Sequence, residues 1–179
     1  MGYSSANMIR EALKDFKSSG KFVYSYGDHY TPLTYYIASV SDSIFLSPGG
    51  MVEITGYANV SPFFKDLSDN IGVKWNIFYA GQFKSATEPL RLNKMSDQNK
   101  LQLREFYNGL YENVTSSYLG SRNINRDSFE YFVNNLKGMF PENALKYNIV
   151  DGLMYKIDFD NFLKQKVVLR IKKIKPCLD

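Results

Sequence analysis

Two short stretches of this 179-residue chain bring together side chains able to do acid–base chemistry. The first is Gly81-Gln82-Phe83-Lys84-Ser85-Ala86-Thr87-Glu88-Pro89-Leu90, directly after a β-prone run. Tyr79 and Phe83 are spaced to wall Lys84 from water. Desolvation lowers the pKa of an ammonium group and leaves a neutral amine that can act as a general base. Ser85 and Thr87 carry hydroxyls able to orient such an amine. Against this stands the commoner fate of a lysine, which is to be exposed and inert. The second stretch is Gly27-Asp28-His29, where an acid and an imidazole meet at an expected strand end. Adjacency alone does not orient an acid–base pair, and a polar turn ending the strand explains the same residues.

Other chemistries lack their residues. With His29 the one histidine and Cys177 the one cysteine, the chain holds no internal disulfide framework and no Cys- or His-based metal cluster. No phosphate-binding glycine loop, zinc-binding HExxH, nucleophile elbow or EF-hand loop occurs. Nothing in the sequence calls for a cofactor or a metal ion. Gly49-Gly50 reads as a turn and is weak evidence for an oxyanion hole.

The elements that would position Lys84 alternate in type. A helix is expected from an Asn7 cap to Lys17, with Ile9, Leu13 and Phe16 on one face. A strand over Phe22–Tyr26 follows, closed by Gly27-Asp28, then a helix over Thr34–Ser39 after Pro32. Ser43–Leu46 is a second strand, stopped by Ser47-Pro48-Gly49-Gly50 and followed by a short strand from Met51 to Thr55. A helix begins near Pro62 and runs to Asn70, and Val73–Tyr79 alternates with period two as a third strand. This order predicts an α/β domain with parallel strands. The second half turns helical. Ser96 caps a long helix through Leu103, Phe106, Leu110, Val114 and Tyr118, a further helix spans Arg126–Leu136, and a short one holds Ala144 and Leu145. Asp151-Gly152 reads as a turn, Asp158–Lys166 as a helix and Val167–Ile174 as a strand. The expected partition is an α/β core at 1–95 carrying the lysine and a helical extension at 96–179, together forming one structural domain.

Composition bounds the function. The chain is 44% hydrophobic and 22% charged, an ordinary globular balance at a length suited to one domain. No apolar run approaches the ~20 residues a membrane-spanning helix needs, and the opening residues lack the charged and apolar regions of a signal peptide. The net charge of +4 is uneven. Residues 164–179 hold six lysines and arginines against Asp179, a local +5 that leaves −1 for the rest. A basic tail of this kind can bind nucleic acid or an anionic membrane, with steep salt dependence, or can be a solvated edge. The body offers no basic stripe, so a nucleic-acid partner is not expected.

The run MIREALKDFKSSGKFVYSYGDHYTPLTYYIASVSDSIFLSPGG followed by FYAGQFKSATEPL resembles the signal peptide peptidase SppA (protease IV) family. The similarity is to the amino-terminal half of its long, two-domain form. It extends from Met8 through Leu119, and more loosely to Asp151-Gly152-Leu153. The resemblance implies a ClpP/crotonase-like α/β fold and a serine–lysine dyad, in which serine attacks the peptide carbonyl and lysine takes its proton. It also implies that the lysine comes from the amino-terminal half and the serine from the carboxy-terminal half. The family's KSAxEP motif reads here as Lys84-Ser85-Ala86-Thr87-Glu88-Pro89, which makes Lys84 the general base. Further implications are a membrane-associated oligomer on the extracytoplasmic side of the bacterial inner membrane, acting on cleaved signal peptides.

The chain departs from the family's nucleophile motif. In Gly27-Asp28-His29-Tyr30-Thr31-Pro32-Leu33-Thr34-Tyr35-Tyr36, the serine position falls on Pro32 and the two following glycines on Leu33 and Thr34. Proline has no nucleophile, and the lost glycines remove backbone freedom expected of an oxyanion site. Thr31 and Thr34 are read as structural. The expectation is therefore an excised, lysine-bearing half, inactive alone and completed by the other half of the same protein. The alternative is a non-catalytic ClpP/crotonase-like module for assembly or peptide binding. The 14 Tyr and 13 Phe fit either apolar grooves and subunit contacts or an aromatic core.

Overall fold

The computed structural model describes the backbone of residues 2–174 and the side chains of residues 2–166; Cys177 and the end of the basic tail lie outside the described residues. By packing, the chain groups into two units, residues 1–55 with 115–179, and residues 56–114. The expected 1–95 and 96–179 partition followed composition along the chain, whereas this grouping follows contacts.

The first unit is built on a parallel three-stranded sheet in the order β1-β2-β3, with β1 at Tyr24–Tyr30, β2 at Ser43–Val52 and β3 at Gly152–Leu153. This is the expected α/β class. Helix α1 (Tyr3–Ser18) precedes the sheet and α2 (Pro32–Ala38) crosses from β1 to β2. Parallel neighbours require such a crossover because a tight hairpin can join only antiparallel strands.

The boundaries depart from expectation in ways that packing explains. Helix α1 starts before Asn7, whose side chain instead accepts a hydrogen bond from the Tyr36 hydroxyl at 3.0 Å. Its buried residues are Ala6 and Arg10, while Ile9 and Phe16 stay largely exposed. The Arg10 guanidinium donates to the carbonyls of Tyr36 and Ser117 and to the hydroxyls of Ser39 and Ser121. Four acceptors compensate the burial of a charge that would otherwise be costly. Burial still pushes the Arg10 pKa down.

Gly27-Asp28 does not close β1, nor does Ser47-Pro48-Gly49-Gly50 stop β2. Pairing jumps from Gly27↔Leu46 to His29↔Met51, so Ser47–Gly50 form a wide bulge opposite Asp28. Met51 and Val52 thereby belong to β2 and not to a separate strand. A Cβ on Gly50 would lie 2.3 Å from the Asp28 carbonyl oxygen, so this close approach needs glycine. Asp151-Gly152 is likewise the lead-in to a strand. Asp151 N–H donates to the Ile44 carbonyl at 2.8 Å, its Oδ2 accepts from Ile44 N–H at 2.7 Å, and its Oδ1 accepts from Arg122 at 2.7 Å.

The helical remainder of this unit comprises the end of α5 (Asp97–Arg122), α6 (Arg126–Asn134), a 3-10 turn at Lys137–Met139, α7 (Pro141–Lys146) and α8 (Lys156–Ile174). Val167–Ile174 continues α8 and is not a strand. Tyr118 meets Tyr35 edge-on at 5.1 Å and Phe129 at 5.9 Å, so the core here is aromatic. Phe159 and Phe162 of α8 lie 5.6 and 5.3 Å from Phe45 of β2.

The second unit holds α3 (Lys65–Asn70), α4 (Glu88–Arg91) and α5 through Val114. Val73–Tyr79 is not a strand: among the described residues it joins no ladder, and none of its residues is buried. Alternation marks a strand only where one face is buried. The Trp75 indole N–H donates to the buried Ser68 hydroxyl at 2.8 Å, tying this segment to α3.

Candidate functional site

Lys84 sits in a turn of the second unit that is bracketed on both sides. Gly81 adopts φ 93°, which favours glycine, and its carbonyl accepts from Lys84 N–H at 3.4 Å. A second turn follows, with Glu88 N–H donating to the Ser85 carbonyl at 2.9 Å. Helix α4 then begins at Glu88, with Pro89 in its first turn, where a missing N–H costs no helical bond.

The side chains in this turn differ from expectation. Lys84 is exposed, and its ammonium group has no ion pair among the described residues. Tyr79 and Phe83 do not wall it off, being 54% and 52% exposed. The Tyr79 ring instead lies under the Arg91 guanidinium at 4.0 Å. The Thr87 hydroxyl accepts from Arg91 Nε at 3.3 Å, so Thr87 braces Arg91 and not the lysine.

Glu88 is the buried member of the motif, 1% exposed. Its Oε2 accepts from Ser96 N–H at 3.2 Å and from the Asn99 amide at 2.9 Å, while its Oε1 accepts from the Ser96 hydroxyl. Arg91 approaches Oε1 at 3.7 Å. Burial pushes this carboxyl up, but the hydrogen bonds from Ser96 and Asn99 and the Arg91 charge outweigh it, so its pKa lies below the usual carboxylate range. Ser96 caps α5 as expected, its hydroxyl accepting from Asn99 N–H at 3.1 Å. In a capping box the third helical residue supplies an acid to the cap's own N–H. Here Asn99 stands at that place and the acid comes from Glu88.

Sequence reasoning assigned no role to Glu88, Arg91 or Asn99. The available signal was a serine cap whose third residue is an amide, with an unassigned acid in the preceding turn. A cleft of about 330 Å³ beside this network is lined by Tyr79, Gly81, Gln82, Glu88, Arg91 and Ser96 among others; Lys84 lies outside that lining.

The second stretch belongs to the first unit. Asp28 and His29 do not pair with each other: His29 Nε2 lies 3.0 Å from Glu53 Oε2, and both are well exposed. Pro32 is the first residue of α2. Thr31 and Thr34 form a reciprocal capping box, Thr31 Oγ1 accepting from Thr34 N–H at 3.3 Å and Thr34 Oγ1 from Thr31 N–H at 2.8 Å. The Pro32 carbonyl accepts from the Tyr118 hydroxyl at 2.7 Å. Both threonine hydroxyls thus serve the helix start, in keeping with their structural reading.

Residues 15–170 match the family model described as peptidase family S49. The chain belongs to peptidase family S49. It is 32% identical over 164 residues to Protease 4 of Haemophilus influenzae, covering 88% of this chain and 27% of that protein. It is 29% identical over 169 residues to Protease 4 of Salmonella typhi, covering 90% and 27%. Identity to the Arabidopsis thaliana protein named Serine protease SPPA, chloroplastic, is 22% over 179 residues, covering 99% and 26%. The S49 chain therefore spans about a quarter of the length of these relatives. The resemblance to the SppA family is borne out, as is its α/β, ClpP-like fold with parallel strands. No helix among the described residues is long and apolar enough to cross a membrane.

Proposed function

We propose that this chain is the lysine-bearing half of an S49 serine peptidase. Lys84 serves as general base to a serine nucleophile supplied by the carboxy-terminal half of the same protein. The observation that carries the reading is the Lys84–Pro89 motif, held in a turn anchored through Glu88 to the start of α5. The proline and paired threonines at the start of α2 support placing the nucleophile elsewhere. A base without its nucleophile has little catalytic power, because such groups act as a unit. The chain alone is therefore inactive, and the missing half provides the surroundings that desolvate the exposed Lys84. The substrates are cleaved signal peptides or similar apolar peptides. The assembled enzyme is a homo-oligomer associated with the extracytoplasmic face of the bacterial inner membrane.

A second reading is a non-catalytic assembly or peptide-binding module, favoured by the exposure of Lys84 and its place outside the described cleft. Cleavage of a signal peptide by the two-half protein separates them. Under the catalytic reading, Lys84→Ala lowers kcat by about 10³-fold or more. Undiminished kcat in Lys84→Ala would establish the module instead.

A further inference from the structure

We propose that Glu88 is the positioning residue for Lys84, a carboxylate latch that clamps the lysine turn to the amino-terminal end of α5. The inference rests on Lys84 being the base. Three residues separate the two, and the Glu88 N–H to Ser85 carbonyl bond closes the intervening turn. Any displacement of Glu88 is thus transmitted through one short, hydrogen-bonded segment to the lysine backbone.

The latch is specific in its chemistry. The Glu88 side chain is buried and faces three donors, the Ser96 N–H, the Ser96 hydroxyl and the Asn99 amide. An ionised carboxylate only accepts, so it satisfies all three. Glutamine has the same shape, but one of its two positions becomes an amide donor, set either against the Ser96 N–H and Asn99 amide or against the Ser96 hydroxyl and Arg91. The other side of the turn is also braced by Arg91, which stacks on Tyr79 and bonds to Thr87. Removing Glu88 therefore leaves the turn tethered at one end, with the lysine free to wander relative to its reaction partner. Misplacement of about 1 Å can cost a general base on the order of 10²-fold in rate.

The test uses the full-length enzyme with wild type, Lys84→Ala, Glu88→Gln, Ser96→Ala and the Glu88→Gln/Ser96→Ala double variant. Assays are run at a temperature where circular dichroism shows each variant folded. Glu88→Gln should lower kcat by about 30- to 100-fold with KM within twofold, because the base acts only in the transition state. Ser96→Ala should lower kcat less, and the double variant should fall no further than Glu88→Gln, since both break one latch. Hydrogen exchange should accelerate at the amides of residues 84–88 and remain unchanged in α2 and β1. Wild-type kcat in Glu88→Gln alongside an inactive Lys84→Ala overturns the latch and leaves the base intact. Full activity in Lys84→Ala overturns the base itself. A loss in Glu88→Gln carried by KM, or exchange accelerated throughout the protein, assigns Glu88 a general structural role and overturns the latch.

Discussion

Glu88 makes a pH dependence measurable at the scale of one residue. Its carboxyl is held below the ordinary carboxylate range in the folded chain, so the folded state binds its proton less readily than the unfolded state does. Stability from this group is fully present above the unfolded pKa of about 4.3 and is lost as pH falls through the lower folded value. Trp75 is the one tryptophan and lies in the same unit, so its fluorescence reports unfolding there. Urea titrations between pH 3 and 7 should show wild-type stability falling at the acid end. Glu88→Gln should be less stable by about 1–3 kcal/mol at pH 7, from buried donors left unpaired, and should vary less with pH. Equal acid slopes in the two proteins would remove Glu88 as their source. The same residue marks how far the site was legible. Lys84 and its motif could be read as a string, because the motif is contiguous. The acceptor role of Glu88 depends on Ser96 and Asn99, 8 and 11 residues further on, which the contiguous motif does not include.

Among the elements, helices with strong local signals and the parallel α/β class are legible in the sequence, whereas the limits of the strands are not. Pro32 before a β-branched and aromatic run announced α2, Ser96 announced α5, and Ala144 with Leu145 marked α7. These signals lie within one or two turns of what they specify. Strand limits depend on a partner that is distant in sequence. Ser47-Pro48-Gly49-Gly50 has turn composition yet lies inside β2, because β1 supplies pairing on both sides of the bulge. Val73–Tyr79 has strand composition yet lacks a ladder partner among the described residues. Gly50 tests the account of the bulge. A methyl group there meets the Asp28 carbonyl at 2.3 Å, and backbone on both strands must shift to admit it. Gly50→Ala should destabilise the chain by about 1–3 kcal/mol in urea, the usual range for overpacking. Gly49→Ala, where a Cβ meets nothing within 4 Å, should be nearly neutral. Similar costs at the two positions would show that the bulge does not depend on this approach.

At the scale of the molecule, the aromatic residues divide into two populations, and the division bears on assembly. In the first unit Tyr35, Tyr118, Phe129 and Phe132 are almost fully buried and form core, while Phe16, Tyr131, Phe140 and Tyr155 lie at its surface. In the second unit Phe78 is 97% exposed and Phe106 63%, with Trp75, Tyr79 and Phe83 each about half exposed. Single exposed apolar groups are ordinary, but several large ones within one unit of 59 residues, Gly56–Val114, mark a surface that gains by being covered. Under the proposed function the cover is the other half of the protein and neighbouring subunits. The chain by itself should then associate through what it cannot cover. Sedimentation equilibrium should give a mass above the 20.6 kDa monomer that rises with concentration. Phe78→Ser and Phe106→Ser should each shift it toward the monomer without loss of helical circular dichroism, since neither ring contributes to the buried core. Supplying the carboxy-terminal half should suppress self-association in the wild type by occupying the same surface. A mass of 20.6 kDa at every concentration would mean that these rings are simply solvated, and would take the second unit out of the assembly contacts.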